Sequence, residues 1–412
     1  MPHTHAKAKF FALSTAALLG TAMQSSGQLP SALPNTTENI HLGMSFNEQI
    51  ANPAALAGKI DYVWGASRNV PGAYQDAYVP YDQDEFGATI SNPKAIQPSW
   101  MVYACDQKTP AYEWGDPTLV LDPAYGPAHN YQISEAQNTI AGQYEPGTTY
   151  NGIAFDSITL VNDTSRCGSW RNGSWVPLYG GAASQNDPLF VTAVVNWAQS
   201  MYSWFKSAYP AKGFALNLNA ARSADPQHPF QNIGLLYPYM DIDVSEQGFT
   251  GYGQNYYGYG YNVLADGDWQ NTVNSFETLN SQGKAFYVVN LISASSEAAI
   301  TRAQLNWVIA NYLLVKGAHS YMSMYHYWNG QRPYGNFYDR PEYHITIGHA
   351  TSGRYTYQGV QRRDYSHGMV LVNPSSTQSY AVTIPSGYTN MYGSAVTSRT
   401  LTPTTALVLL HS

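Results

Sequence analysis

The sequence predicts an α/β fold, a (β/α)8 TIM barrel followed by a small antiparallel β domain, and three features carry that prediction. From about residue 58, short apolar runs alternate with segments of helical period, the mark of βα units around a parallel sheet. Eight such runs fall within about 290 residues, enough for one closed barrel. Past His349 the helical period stops, and short apolar runs split by turn residues replace it.

The elements follow in chain order. The opening MPHTHAKAKFFALSTAALLGTAMQSSG reads as an export signal over residues 1–24. Lys7 and Lys9 supply the positive start, Phe10–Leu19 the apolar stretch, and Gly20-Thr21-Ala22 the small-residue cleavage site. That stretch is too short to cross a bilayer and no later one is long enough. A secreted or periplasmic protein is expected, with no membrane insertion after signal removal. Residues 25–57 read as a lead-in, 58–350 as the barrel and 354–412 as a C-terminal β-sandwich-like domain.

The expected strands are Ile60–Gly65, Trp100–Ala104, Leu119–Leu121, Ile153–Phe155, Phe214–Leu218, Met240–Val244, Ala285–Asn290 and Ser320–Tyr325. Three helices stand out between them. In DPLFVTAVVNWAQSMYSWFKSAY, Asp187 caps, Pro188 suits the first turn, and Val194, Trp197, Met201, Trp204 and Ala208 form one stripe. Asp268 is expected to cap the second, which carries Trp269, Val273, Phe276 and Leu279 on one face and stops at Gly283. In TRAQLNWVIANYLLVKG the stripe is Leu305, Val308, Tyr312 and Val315. GMVLVNPSS, SYAVTIPS and TTALVLLHS read as strands of the terminal domain.

Composition narrows the chemistry. The 412 residues carry a net charge of −7 and no Lys/Arg-rich run, which argues against a nucleic-acid partner. Charged residues are 11%, so polarity comes from Asn, Gln, Ser, Thr and Tyr. Tyrosine is in excess, 34 against 13 Phe, which suggests aromatic faces meeting water or a hydroxylated ligand, or a compositional habit of exported proteins. Cys105 and Cys167 either pair or stand as separate thiols. There is no glycine-rich phosphate loop, HExxH, paired-cysteine cluster or G-x-S-x-G, so no metal or organic cofactor is expected. Nothing in the sequence speaks to oligomeric state.

Barrel sites lie at the C-terminal ends of the strands, so the polar residues that end apolar runs are the candidates. These are Asp122 after the third run, Asp156 at the fourth, and Asn217 and Asn219 at the fifth. Glu246 follows the sixth, Asn290 ends the seventh and His326 the eighth. Trp64 and Trp328 follow the first and eighth runs, neighbours in a closed barrel, and could stack on a sugar ring. Asp61 starts its run and belongs to the stabilising bottom face. Carboxylates among aromatics and amides are what glycoside hydrolysis uses: one acid protonates the leaving oxygen, another attacks the anomeric carbon or activates water. Asp156 and Glu246 are the expected pair and a poly- or oligosaccharide the expected partner. Each acid also has a plainer reading, Asp156 as a turn residue and Glu246 as a solvated loop acid.

Five stretches carry a family likeness: KIDYVWGAS, LVLDPAYG, YNGIAFDSI, DIDVSEQGF and GMVLVNPSS. Together they resemble the glycosyl-hydrolase-like TIM-barrel families of secreted bacterial proteins, relatives of the α-glycosidase and polygalactosaminidase barrels, over most of residues 58–375. The resemblance implies that the Asp closing strand four, Asp156 here, is the nucleophile or principal catalytic acid. It also implies an acidic partner after strand six, Glu246 here. ALNLNA carries asparagines at strand five, where the amylase pattern has a glutamate. Two alternatives stay open. One is a carbohydrate-binding protein on a barrel without turnover; the other is a transglycosylase, which shares the two carboxylates.

Overall fold

A computed structural model describes residues 29–81, 97–113, 118–162, 166–181, 187–218, 232–246, 248–250, 263–328 and 333–411. Eight strands form one parallel sheet: β1 (Gly43–Ser45), β2 (Tyr62–Trp64), β3 (Tyr74–Pro80), β4 (Gly152–Ile158), β5 (Gly213–Leu218), β6 (Ile242–Ser245), β7 (Ala285–Ser293) and β8 (Ser320–Tyr327). Each pairs in parallel with the next. A parallel bridge from Leu42 to Met322 joins the first to the last and closes the barrel.

Two of the expected strands are not staves. Trp100–Ala104 and Leu119–Leu121 lie in an excursion between β3 and β4. There Met101 bridges Leu121 antiparallel, and Val102, Ala111 and Val120 make a small core of their own. The missing staves are β1, inside the segment read as a lead-in, and β3. Three residues, GMS, are too few to show a pattern. In YQDAYVP the lumen-facing Tyr74, Asp76 and Tyr78 break the continuous apolar run that marks a buried parallel strand. The two errors cancel in the count, so numbering from β4 onward is unchanged.

Alternation along each strand sends every second residue inward. The interior is unusual in being filled largely by tyrosine: Tyr62, Tyr74, Tyr287, Tyr321 and Tyr325 are all buried there. Each hydroxyl has a partner. Tyr62 donates to Asp76, Tyr74 to the Asn151 carbonyl at 3.0 Å, Tyr287 to Ser323 Oγ at 2.7 Å and Tyr321 to the Pro34 carbonyl at 2.6 Å. Tyr325 accepts from the Ser45 amide at 2.8 Å. Part of the tyrosine excess is therefore barrel core rather than ligand surface. The close approach of Tyr74 and Asp76 requires glycine opposite, since a Cβ on Gly152 would strike Asp76 Oδ1 and one on Gly213 the Tyr74 hydroxyl.

Burial pushes Asp76 up to about 8, with the Asp241 charge adding to it and the Tyr62 hydrogen bond opposing it. The sign for stability follows from linkage. Between the unfolded value of about 4 and the folded value, the native chain holds a proton that the unfolded chain releases, so stability falls as pH rises through that window. Asp76→Asn, which cannot ionise, is expected to flatten this loss. Between pH 5 and pH 8 the variant should lose on the order of a few kcal/mol less stability than the wild type, read from urea or thermal melts. Parallel pH dependence of the two proteins would contradict this account.

Four α-helices surround the described barrel: α1 (Gly126–Ile140), α2 (Pro188–Ala208), α3 (Asp266–Ser281) and α4 (Arg302–Val315). Asp187 caps α2, accepting from Leu189 N at 2.9 Å and Phe190 N at 3.4 Å. Asp268 is not a cap; α3 begins at Asp266 and Asp268 lies buried in its first turn. Thr301 caps α4 through a reciprocal box with Gln304. α4 is buried on nearly every side, not along one stripe, because the C-terminal sheet covers its outer face. Arg363 Nη1 donates to the Leu313, Leu314 and Lys316 carbonyls, and Val408 N donates to Asn306 Oδ1 at 3.2 Å. That sheet has five antiparallel strands, with a separate two-stranded ribbon of Tyr380–Thr383 and Ser398–Leu401. Cys105 and Cys167 are disulfide-bonded, tying the excursion to the hairpin Gly168–Pro177 after β4.

Candidate active site

The alternation that fills the barrel also builds the site at the C-terminal ends of its strands. Inward positions on β3 are Tyr74, Asp76 and Tyr78; on β4 Gly152, Ala154 and Asp156; on β5 Ala215 and Asn217. Ile242 and Val244 on β6 lead to Glu246 just beyond it. The last residue of each series lies at one mouth. β4 departs from regularity there: its register with β5 shifts between Phe155 and Ile158, and Ser157 adopts φ 61°. Such a bulge re-aims a neighbouring side chain, and left-handed backbone outside glycine concentrates at functional sites.

The Asp156 carboxylate accepts from Tyr78 OH at 2.7 Å, Ser157 N at 2.8 Å and Asn217 Nδ2 at 2.5 Å. The same Asn217 nitrogen lies 3.4 Å from Glu246 Oε2, and Tyr334 OH donates to Glu246 Oε1 at 2.8 Å. One nitrogen touching both acids limits these two oxygens to a separation of about 6 Å. Burial, then the charge of Glu246, pushes Asp156 up to about 6, against the pull of its three hydrogen bonds.

An aromatic wall stands beside the pair. Phe46, just past β1, has its ring 5.2 Å from Trp64, 5.4 Å from Tyr78 and 5.9 Å from Tyr334; Tyr325 and Tyr334 lie 5.2 Å apart. Among the described residues, Trp64 Nε1 and Asn217 Oδ1 are buried without a hydrogen-bond partner. Unmet polar atoms of this kind are what a bound hydroxyl satisfies.

Of the residues expected from sequence, Asp156, Asn217 and Glu246 come together. Trp64 joins them as part of the wall, but it ends β2, not the first stave. β1 therefore separates it from the β8 edge where Trp328 sits half exposed. Asp122 is elsewhere: it is buried in the excursion, held by Arg171, by Tyr179 OH at 2.9 Å and by Ala124 N at 3.0 Å. Asn290 and His326 are one residue out of phase with the lumen. Asn290 lies between Val288 and Ile292 on the helix-facing side, accepting from Phe249 N at 3.1 Å and donating to the Ser323 carbonyl at 3.2 Å. His326 shares its face with Met322 and Met324, and Glu297 Oε1 takes its amide at 3.0 Å and lies 3.3 Å from Nδ1. Asn219 lies outside the described residues. Asp243 on β6 points outward, and burial raises its carboxyl well above the usual range. Asp61, ahead of β2, pairs with His41 at 2.9 Å.

Sequence reasoning missed Phe46, Tyr78 and Tyr334. Tyr78 was readable once YQDAYVP is taken as a stave, because it stands two residues on from Asp76 and four from Tyr74. Phe46 and Tyr334 sit in turns, where no periodicity points inward.

No protein-family model matches the sequence, and no curated protein matches it. Among solved structures the chain is similar to the glycoside hydrolase domain of PelA from Pseudomonas aeruginosa, at 12% identity over 70% of this chain and 95% of that one, with a TM-score of 0.40. It is similar to the noncanonic maltogenic alpha-amylase AmyB from Thermotoga neapolitana, at 10% identity over 91% and 99%, TM-score 0.46. An alpha-amylase from Lactobacillus plantarum gives 11% over 90% and 98%, TM-score 0.45. These structural neighbours are glycoside hydrolases; likeness at this distance assigns no residue of this chain a role.

Proposed function

We propose that the protein is a glycoside hydrolase acting on a poly- or oligosaccharide with retention of configuration, Asp156 serving as nucleophile and Glu246 as acid/base. The observation that carries this reading is the single amide nitrogen of Asn217 reaching both carboxylates. It keeps their nearest oxygens within about 6 Å, below the ~6.5–9.5 Å that an inverting enzyme needs to seat a water. The three donors on Asp156 stabilise its ionised form, the one that attacks, against the upward push of burial and of the Glu246 charge. In the first step Asp156 attacks the anomeric carbon while Glu246 gives its proton to the departing oxygen. In the second, Glu246 takes a proton from water, the hydroxide attacks the same carbon, and the bond to Asp156 breaks. The buried Asn217 Oδ1 and Trp64 Nε1, unpaired among the described residues, supply an acceptor and a donor for sugar hydroxyls.

Attack needs Asp156 ionised. Since its carboxyl titrates about 6, kcat/KM is expected to fall roughly tenfold per pH unit on the acid side of that value. An acid limb centred near 4 would show that Asp156 is not the group that titrates. The reading itself is tested by reducing-sugar release from a panel of neutral and acidic polysaccharides, with the product anomer followed by NMR. Initial products of retained configuration support it; inverted products overturn the nucleophile role of Asp156. Binding without release across the panel favours a non-catalytic sugar-binding protein, and transfer to sugar acceptors a transglycosylase. We further propose that the protein works outside the cytoplasm, which the Cys105–Cys167 bond supports.

A further inference from the structure

We propose that Phe46 is the stacking platform of the site, its ring taking the C–H face of a pyranosyl unit held between Asp156 and Glu246; this rests on the sugar-cleaving reading above. Phe46 has φ 59°, a left-handed backbone that a bulky side chain adopts only at a cost. Strain of this kind persists where the surroundings over-determine it, and here they do. The Phe46 amide donates to the Trp64 carbonyl at 2.6 Å, and Gly335 N donates to the Ser45 carbonyl at 2.9 Å. The next residue, Asn47, is fully buried, and its Oδ1 accepts from Ser67 N at 2.8 Å and Arg68 N at 3.0 Å while its Nδ2 donates to the Arg68 carbonyl at 2.7 Å. Turns after two adjacent staves thus hold one ring in place.

The ring's surroundings say what it is held for. Trp64 beneath it is 1% exposed, whereas Phe46 is only partly buried, so Phe46 is the upper member of the wall. It lies between the two phenols that hold the two acids, 5.4 Å from Tyr78 and 5.9 Å from Tyr334 by ring centres. A sugar seated with its anomeric carbon between those acids would sit beside the two phenols that flank this ring. A side chain needed only to plug the barrel gains nothing from left-handed backbone. The face of a pyranose that carries axial C–H bonds complements the negative face of an aromatic ring, and such contact adds to burial. The fold also keeps room for the ring: a Cβ on Gly65, at φ 70°, would lie 2.5 Å from Phe46 Cδ1 and 2.6 Å from Cε1. Gly65→Ala therefore displaces the ring while changing no atom of the site.

The test uses three variants of the full chain: Phe46→Ala, Phe46→Tyr and Gly65→Ala, each checked by thermal melt. With whichever of the 4-nitrophenyl α- and β-gluco- and galactopyranosides the wild type cleaves best, Phe46→Ala and Gly65→Ala are expected to raise KM about tenfold with kcat within a few-fold. Phe46→Tyr keeps the wild-type KM. A KM unchanged in folded Phe46→Ala overturns the proposal and leaves the hydrolase reading standing. So does an equal fall of kcat in Phe46→Ala and Phe46→Tyr, which marks a structural role. Titration of tryptophan fluorescence with the same pyranosides provides a readout that needs no turnover, because Trp64 lies 5.2 Å from the Phe46 ring. Phe46-dependent binding without cleavage keeps the platform and leaves the hydrolase reading to the polysaccharide panel; a wild type that binds none of them sinks the platform.

Discussion

Asp156→Asn is expected to lower kcat/KM by at least about a thousandfold while leaving the melting temperature unchanged or higher. The amide is isosteric: its oxygen still accepts from Ser157 N and its NH2 donates to the Tyr78 hydroxyl in place of accepting from it, so the bulge has no reason to rearrange. Removing one of two carboxylates linked through Asn217 relieves like-charge repulsion, which is a gain in stability at a site built for chemistry. Asp156→Gly separates the possible roles. If Asp156 is the nucleophile, azide fills its place and releases a glycosyl azide of inverted configuration; if it is the acid, rescue gives retained configuration. The second outcome would give the push towards pH 6 a different meaning, because a raised carboxyl is also what a proton donor needs.

Glu246→Gln has an effect that depends on the leaving group. With a natural glycosidic linkage the departing alkoxide requires a proton, and loss of the acid is expected to cost about a hundredfold to ten-thousandfold in kcat/KM. With a 2,4-dinitrophenyl glycoside the leaving group needs no proton, so formation of the glycosyl-enzyme is spared and its hydrolysis becomes limiting. A burst of dinitrophenol followed by a slow phase is the expected trace. A uniform loss for both leaving groups would move the proton donor to another residue. Tyr334, which donates to Glu246 at 2.8 Å, is then the first to examine.

What the sequence revealed depended on which physical regularity each residue obeyed. Asp156, Asn217 and Glu246 were legible because each interrupts or follows an apolar run, and polar side chains at the ends of buried strands are rare enough to notice. The same criterion admitted Asn290 and His326, since ending a run does not say which side of the sheet a residue faces. Counting by twos from Tyr287 or Tyr321 gives the inward phase, and both fall outside it. Asp122 was admitted because the short strands of the excursion are as apolar as a stave. β3 was hidden by its polar lumen side and β1 by its brevity. Phe46 was hidden more deeply, because a left-handed turn leaves no periodic trace when the residue is not glycine.

α4 lies between the barrel and the C-terminal sheet, with Arg363 and Tyr365 both anchored on the carbonyl of Leu313. Arg354 reaches α3 as well, gripping Glu277 through two bonds of 2.8 Å. The terminal sheet therefore serves as the outer shell of a barrel helix rather than a passenger. A chain cut at the apparent domain border would leave one side of that helix bare to water, so the border is a seam in the pattern of residues and not a place where the protein can be taken apart.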